Sequence, residues 1–254
     1  MPLALVSNDD SIASFYLRAL AEALCVHFEV VVAAPKREQS WIGRAMSRRT
    51  PVAVEKFSGL PCEAWSIDGT PCDCVNIAMQ HILKDRRPDV VVSGINIGYN
   101  AGIPFILSSG TLGAAIEGAM WNVRSVAASQ KVPSKYFTLL HKENTTVPAD
   151  IEPEIRAAAR HTAAFATELV TRPLEHYVVH NLNYPEHVGA DTPVEETVPS
   201  SMEPQGLFLM DEAGVCRFDF HTGVPVKESV RTDQDCMAGG TISHGVLDFA
   251  CIGR

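Results

Sequence analysis

Leu3-Ala4-Leu5-Val6-Ser7-Asn8-Asp9-Asp10 opens the chain with a short apolar run that breaks into polar residues, the last two of them adjacent acids. Four apolar residues ended by polar ones have the length and composition of a strand buried on both faces. The same kind of run returns at residues 29–34, around Val30-Val31-Val32, and at 90–93, Val90-Val91-Val92-Ser93. Between the first two runs, Phe15, Leu17, Leu20, Ala21 and Leu24 recur near helical spacing. Strand, helix and strand in that order form a βαβ unit with a right-handed crossover. Residues 72–83 and 113–120 read as further helices, and 124–129 as a further strand. The alternation predicts an α/β, Rossmann-like fold: a mostly parallel sheet flanked by helices on both faces.

Beyond residue 130 the pattern loosens. Residues 131–153 are polar and hold three prolines, Pro133, Pro148 and Pro153, which predicts a long surface connection. A helix is expected over 154–170 and a strand over 177–181. Short segments punctuated by Pro and Gly follow, with an antiparallel hairpin around 207–220. Residues 1–130 are expected to be the core that carries the site. Residues 131–254 continue the same single domain and end in the hairpin extension.

Composition narrows the function classes. The 254 residues carry 30 acidic and 21 basic side chains, a formal charge of -9. Such a chain lacks the cationic surface that neutralises the phosphates of a nucleic-acid duplex. The seven cysteines are scattered and complete no tetrahedral zinc pattern, so they read as reduced thiols. No stretch reaches the roughly 18 apolar residues of a membrane span, and no leader precedes the first strand, so a cytoplasmic location is expected. Neither a G-x-x-x-x-G-K-[ST] loop nor a G-x-G-x-x-G after the first strand is present, which disfavours a dinucleotide enzyme.

The chemistry-bearing residues fall where strands end. In an open α/β sheet that edge is where ligands bind. Asp9 and Asp10 repel each other unless protonated, separated or bridged, and a hard divalent cation such as Mg²⁺ or Mn²⁺ relieves the repulsion through oxygen ligands. A solvated turn capping the next helix is the plainer alternative. Ser93-Gly94-Ile95-Asn96-Ile97-Gly98-Tyr99-Asn100 follows the third strand, with glycines for close backbone approach and the Asn96 amide oxygen as a donor. Ser108-Ser109-Gly110-Thr111 precedes a helix, where hydroxyls and backbone N–H groups make an anion site. Ser40, after the second strand, is a weak hydroxyl donor or a turn residue.

Together these segments resemble the SurE family of metal-dependent nucleoside-monophosphate phosphatases. The likeness rests on Ser7-Asn8-Asp9-Asp10, Ala34-Pro35…Arg37…Ser40, Gly69-Thr70-Pro71-Cys72-Asp73-Cys74-Val75, the run from Arg87 to Asn96, and Ser109-Gly110-Thr111. A weaker echo comes from Thr232-Asp233 and Gly240-Thr241-Ile242-Ser243. The resemblance implies a divalent metal (Mg²⁺ or Mn²⁺, one per subunit) held by Asp9, Asp10, Ser40 and Asn96. It implies phosphate-facing positions at Asn100, Ser109, Gly110 and Thr111, with Asp9, Asp10, Asn100 and Ser109 carrying catalysis. The implied reaction releases phosphate from a nucleoside 5′- or 3′-monophosphate, in a homodimer or homotetramer with no membrane partner.

Departures from the family pattern surround these positions. Ser11 and Tyr16 stand where the family has glycine, Trp41 where it has a small residue, and residues 101–108 differ. Trp41 and Tyr99, large rings beside ligand loops, are candidate substrate-binding residues. The altered surroundings leave two alternatives: a phosphatase for a non-nucleotide ester of a biosynthetic pathway, or a non-catalytic nucleotide-binding regulatory homologue.

Overall fold

A computed structural model describes residues 1–203, 205–219 and 223–252. The strands are β1 (Leu3–Ser7), β2 (Glu29–Pro35), β3 (Val54–Lys56), β4 (Glu63–Ile67), β5 (Val90–Ile97), β6 (Arg124–Gln130), β7 (Val178–Tyr184), β8 (Val194–Thr197), β9 (Met202–Glu203), β10 (Phe208–Met210), β11 (Cys216–Phe218), β12 (Val224–Pro225) and β13 (Ile242–Asp248). The helices are α1 (Phe15–Leu24), α2 (Pro71–Ile77), α3 (Ile103–Ser108), α4 (Gly110–Met120), α5 (Ser134–Lys142), α6 (Glu152–Leu169) and α7 (Asp233–Gly239).

One nine-stranded sheet runs in the order β3-β4-β2-β1-β5-β6-β7-β13-β8. From β4 to β7 every neighbouring pair is parallel. Antiparallel β3 joins one side of that block, and β13 joins the other, antiparallel to β7 and parallel to β8. Every residue of β1 and β5 is buried, as the unbroken apolar runs require of central parallel strands. Alternate side chains serve the two faces. Ala4 and Val6 join a core with α1 and α6, while Leu3 and Leu5 pack with Val75, Ala78 and Ala114 on the side of α2 and α4.

The chain runs from β1 to β2 on one side and later inserts β5 on the other. The carboxyl ends of β1 and β5 therefore flank the point where strand order reverses, the crevice position of doubly wound folds. Strand β5 reaches beyond the expected 90–93 because a bulge between Ser93 and Asn96 lets it resume pairing with β6. Gly94 is required there. Its φ is +135°, and a Cβ on it would lie 2.3 Å from the Ala128 carbonyl oxygen.

The second half departs from the sequence reading in one informative way. Residues 131–153 are not all connection: Ser134–Lys142 forms α5. Tyr136 and Leu140, one helical turn apart, anchor it, with Leu140 fully buried in the core that holds α1 and α6. The hairpin is β10 paired with β11, and Phe220 of the expected 207–220 lies outside the described residues. Among the described residues no helix is long and apolar enough to cross a membrane.

Candidate active site

The turn after β1 is built from its own side chains. Asn8 Nδ2 donates to the Ser11 carbonyl at 2.9 Å, closing the loop that presents both acids. Asn144, just after α5, donates to the Asp10 carbonyl oxygen at 2.7 Å and ties the later segment to this turn. Ser11 takes up a φ of +95° here, a conformation that glycine adopts without strain.

Asp9 is held by the start of α4. The Thr111 hydroxyl donates to Asp9 Oδ1 at 2.6 Å, and the Thr111 amide donates to Oδ2 at 3.1 Å. This approach needs a glycine at the first position of the helix, since a Cβ on Gly110 would stand 2.9 Å from Asp9 Cβ. Asp10 Oδ2 accepts the Ile97 amide at 2.9 Å, so the neighbouring acids are fixed by different elements, α4 and β5. Burial raises the Asp9 carboxyl to about 6, against the lowering effect of the Thr111 bonds. Burial and the adjacent Asp9 charge push Asp10 well above the carboxylate range. Two adjacent buried acids thus both favour the protonated form in this arrangement.

Asp9 opens into a cavity of about 650 Å³ that Ser40, Asn96, Asn100 and Ser109 also line. Asn96 gives its Nδ2 to the Gly98 carbonyl at 3.2 Å, which leaves Oδ1 available to a ligand. The Ser40 amide donates to Glu38 Oε1 at 2.7 Å, placing a third carboxylate at the rim. Ser109 caps α4, its Oγ accepting the Leu112 amide at 3.1 Å. Asn100 is held from three directions: its amide N–H donates to Asn183 Oδ1, its Nδ2 donates to Ser129 Oγ, both at 2.8 Å, and its carbonyl accepts Asn181 Nδ2 at 3.0 Å.

Asp10, Gly110 and Thr111 stand behind this floor and are not among the residues that line the cavity. Thr111 is fully buried, and its hydroxyl and amide both serve Asp9. Both groups are thus turned to the acid, whereas the resemblance implies a phosphate-facing position. Trp41 stands on the wall against Phe105 and Phe218, with ring centroids 6.1 and 5.1 Å away. Tyr99 lines the cavity too, as do Phe137 and His141 of α5.

Several supporting residues escaped the sequence reading. Asn181 and Asn183 alternate along the fully buried β7, and polar residues at period two in such a strand are a legible sign of a polar partner. Asp233 enters the sequence reading only within a weaker echo of the family, which does not foresee its role: it accepts the Gly102 amide at 2.7 Å and the Ser200 amide at 2.9 Å, clamping the loop after Asn100. Glu38 lies within the 34–40 segment without being singled out there, while His141 belongs to no motif and only the fold brings it to the cavity.

The family model described as "Survival protein SurE" matches residues 4–203. A protein named 5′-nucleotidase SurE from Methanocella arvoryzae is 34% identical over 194 residues, spanning 76% of this chain and 70% of that one. Its namesake from Methanococcus maripaludis is 38% identical over 196 residues, with 76% and 71% covered. The crystal structure of the SurE protein from Aquifex aeolicus superposes with a TM-score of 0.77 at 25% identity, over 97% of this chain and 93% of that one. Architecture and sequence agree: this chain belongs to the SurE family.

Proposed function

We infer that the chain is a divalent-cation-dependent phosphomonoesterase that hydrolyses nucleoside 5′- or 3′-monophosphates to nucleoside and phosphate. The observation that carries this reading is the pair of buried acids, Asp9 and Asp10, both raised by burial, at the edge where strand order reverses. The relatives' name, 5′-nucleotidase, points to the same chemistry. A cavity of about 650 Å³ is of the size that takes a mononucleotide.

The donor set fits a hard cation. Two carboxylates with the neutral oxygens of Ser40 and Asn96 suit Mg²⁺ or Mn²⁺. Among the described residues there is no group of three His, Cys, Asp or Glu side chains that could hold a metal ion, so the neutral oxygens are needed to complete this set. When bound, the cation polarises the phosphoryl oxygens and offsets the charge that develops in transfer. Asp9 on the cavity floor, with Asp10 directly behind it, would hold the cation, Ser40 and Asn96 would complete its shell, and Thr111 keeps the Asp9 carboxylate in position. Asn100, Ser109 and the N-terminus of α4 orient the phosphoryl group, with Gly110 letting the helix start close to Asp9. Trp41 and Tyr99 form part of the wall that meets the rest of the substrate.

The test is phosphate release from a panel of 5′- and 3′-mononucleotides and simple sugar phosphates, with Mn²⁺ or Mg²⁺ and then with chelator. Chelator-sensitive turnover of mononucleotides is expected. Turnover of sugar phosphates alone would favour the pathway phosphatase, and tight nucleotide binding without turnover would favour the regulatory homologue. Thr111→Val removes the hydroxyl donor from Asp9, and the cation concentration for half-maximal activity is expected to rise about 10-fold, as for other groups that orient a metal ligand. An unchanged cation titration would remove Thr111 from that role.

Both halves of the chain contribute to the one large sheet, which supports a single domain. Phe208, Leu209 and Met210 expose an apolar hairpin edge suited to a second copy of the chain. The seven free cysteines suit a reducing, cytoplasmic setting.

A further inference from the structure

Asp9, Asn96, Asn100 and Ser109 are all at most 9% exposed, so they form the floor of the cavity. Trp41 and Phe137 are 39% and 41% exposed and His141 is exposed as well, so they form its mouth. A phosphoryl group oriented on the floor directs its ester oxygen and leaving group toward that mouth. The mouth must therefore solve a problem that the floor does not. An alkoxide leaves poorly from a phosphate monoester unless a proton reaches it as the P–O bond breaks.

The titratable side chains that line the cavity are Asp9, Glu38, Tyr99, Lys131 and His141. Asp9 is committed to the floor. Glu38 already accepts the Ser40 amide. Burial raises Tyr99 above its usual 10, which makes it a poor acid near neutrality. Lys131 is paired with Glu186 at 3.2 Å. His141 remains, an imidazole whose ordinary range spans neutral pH. Its ring is seated against Phe137, with centroids 4.3 Å apart, and α5 is anchored beneath it by Leu140. Phe137 reaches toward Gly98 and so toward Asn96: a Cβ on Gly98 would lie 4.0 Å from the Phe137 ring and 3.8 Å from Asn96 Nδ2. Surrounding protein holds His141 below its usual value, while Glu38 opposes that shift, and a phosphate dianion would oppose it further.

We propose that His141, carried to the mouth of the cavity by α5, is the proton donor to the leaving oxygen of the nucleoside. This rests on the phosphatase reading above. Water oxygen bonds to phosphorus as the bond from phosphorus to the ester oxygen breaks, and that bond's electron pair stays on the ester oxygen. The imidazolium proton passes to this oxygen, which departs as the nucleoside hydroxyl. The proton lost by the attacking water returns through solvent to the neutral imidazole, so the cycle consumes no net proton.

The experiment compares wild type with His141→Gln at saturating Mn²⁺ on three esters: a 5′-mononucleotide, the same nucleoside 5′-S-phosphorothiolate, and p-nitrophenyl phosphate. The thiolate and the nitrophenolate leave without a proton. The variant is expected to lose about 100-fold or more in kcat on the mononucleotide. It should stay within threefold of wild type on the other two esters, and the fall of kcat at alkaline pH expected of wild type should vanish. An equal loss on all three esters, a change confined to KM, or unchanged rates would overturn the assignment. The phosphorothiolate keeps the nucleoside, so a mere contact with the base would slow it alongside the mononucleotide. A wild type that turns over p-nitrophenyl phosphate but no mononucleotide sinks the nucleotidase reading, while a wild type active on mononucleotides and matched by the variant sinks only the role of His141.

Discussion

Asp9→Asn is expected to lower kcat/KM by about 100- to 1,000-fold with saturating cation, the scale of several kcal/mol of lost charge stabilisation. The same change is expected to make the cation-free protein melt higher at pH 7.5. Burial raises the folded-state pKa of Asp9 from the ordinary 3.8 to about 6. Between those values the folded protein binds more protons than the unfolded chain, so stability falls as pH rises through that window. Above about pH 6 the penalty is fully present, and the neutral amide removes it along with the repulsion on Asp10. Asparagine also keeps both contacts with Thr111, accepting from the amide and donating to the hydroxyl. The advantage of the variant should shrink as pH is lowered toward 4. Saturating cation should reverse the order by stabilising wild type far more. Thermal melts with chelator at pH 5 and 7.5, and with Mn²⁺, check every sign. A variant that melts lower than wild type at pH 7.5 without cation contradicts the account of the site.

Gly94→Ala should be the most damaging single methyl group in the chain. The added carbon would sit 2.3 Å from the Ala128 carbonyl oxygen, at a φ of +135° that other residues rarely adopt. Neither strand can yield easily, because both β5 and β6 lie in the middle of the sheet. Overpacking together with backbone strain predicts a loss of about 3–5 kcal/mol, and thus a melting point lower by about 10 °C in a chain of this length. Any protein that does fold should need far more cation, because the bulge that aims Asn96 is the feature disturbed. Gly189→Ala is the control, since nothing stands within 4 Å of a Cβ there, and it should melt within about 2 °C of wild type. Equal melting of the two variants would mean that β5 and β6 can part without penalty.

The fold was legible in the sequence wherever burial left a local mark. Val30-Val31-Val32 and Val90-Val91-Val92 can hardly be anything but strands covered on both sides, and the helix from Phe15 to Leu24 shows its inner face by spacing alone. Helix α5 was hidden because its anchoring depends on few residues, chiefly Leu140, whereas the prolines around it argue for a loop. At the site, the acids and the segments at strand ends stood out because their chemistry is unusual for those places. Their partners did not. Asp9 and Thr111 are 102 residues apart in the chain, and Asp10 and Ile97 are 87 apart, distances over which composition carries no information. The role proposed for Thr111 rests on hydrogen bonds to Asp9 that only the packed structure brings about.

The clamp from Asp233 to the Gly102 amide spans 131 residues, and this has a consequence for how the protein is made. At 5–20 residues per second, roughly 7–26 s of translation separate Gly102 from its partner. During that interval β1, β2, β5 and β6 can already assemble, because all of them precede residue 131. The nascent chain thus holds both acids before the loop that follows Asn100 is pinned. Residue 233 must be made before that loop can be pinned, so the two acids and the loop beside them come to order at different times in synthesis.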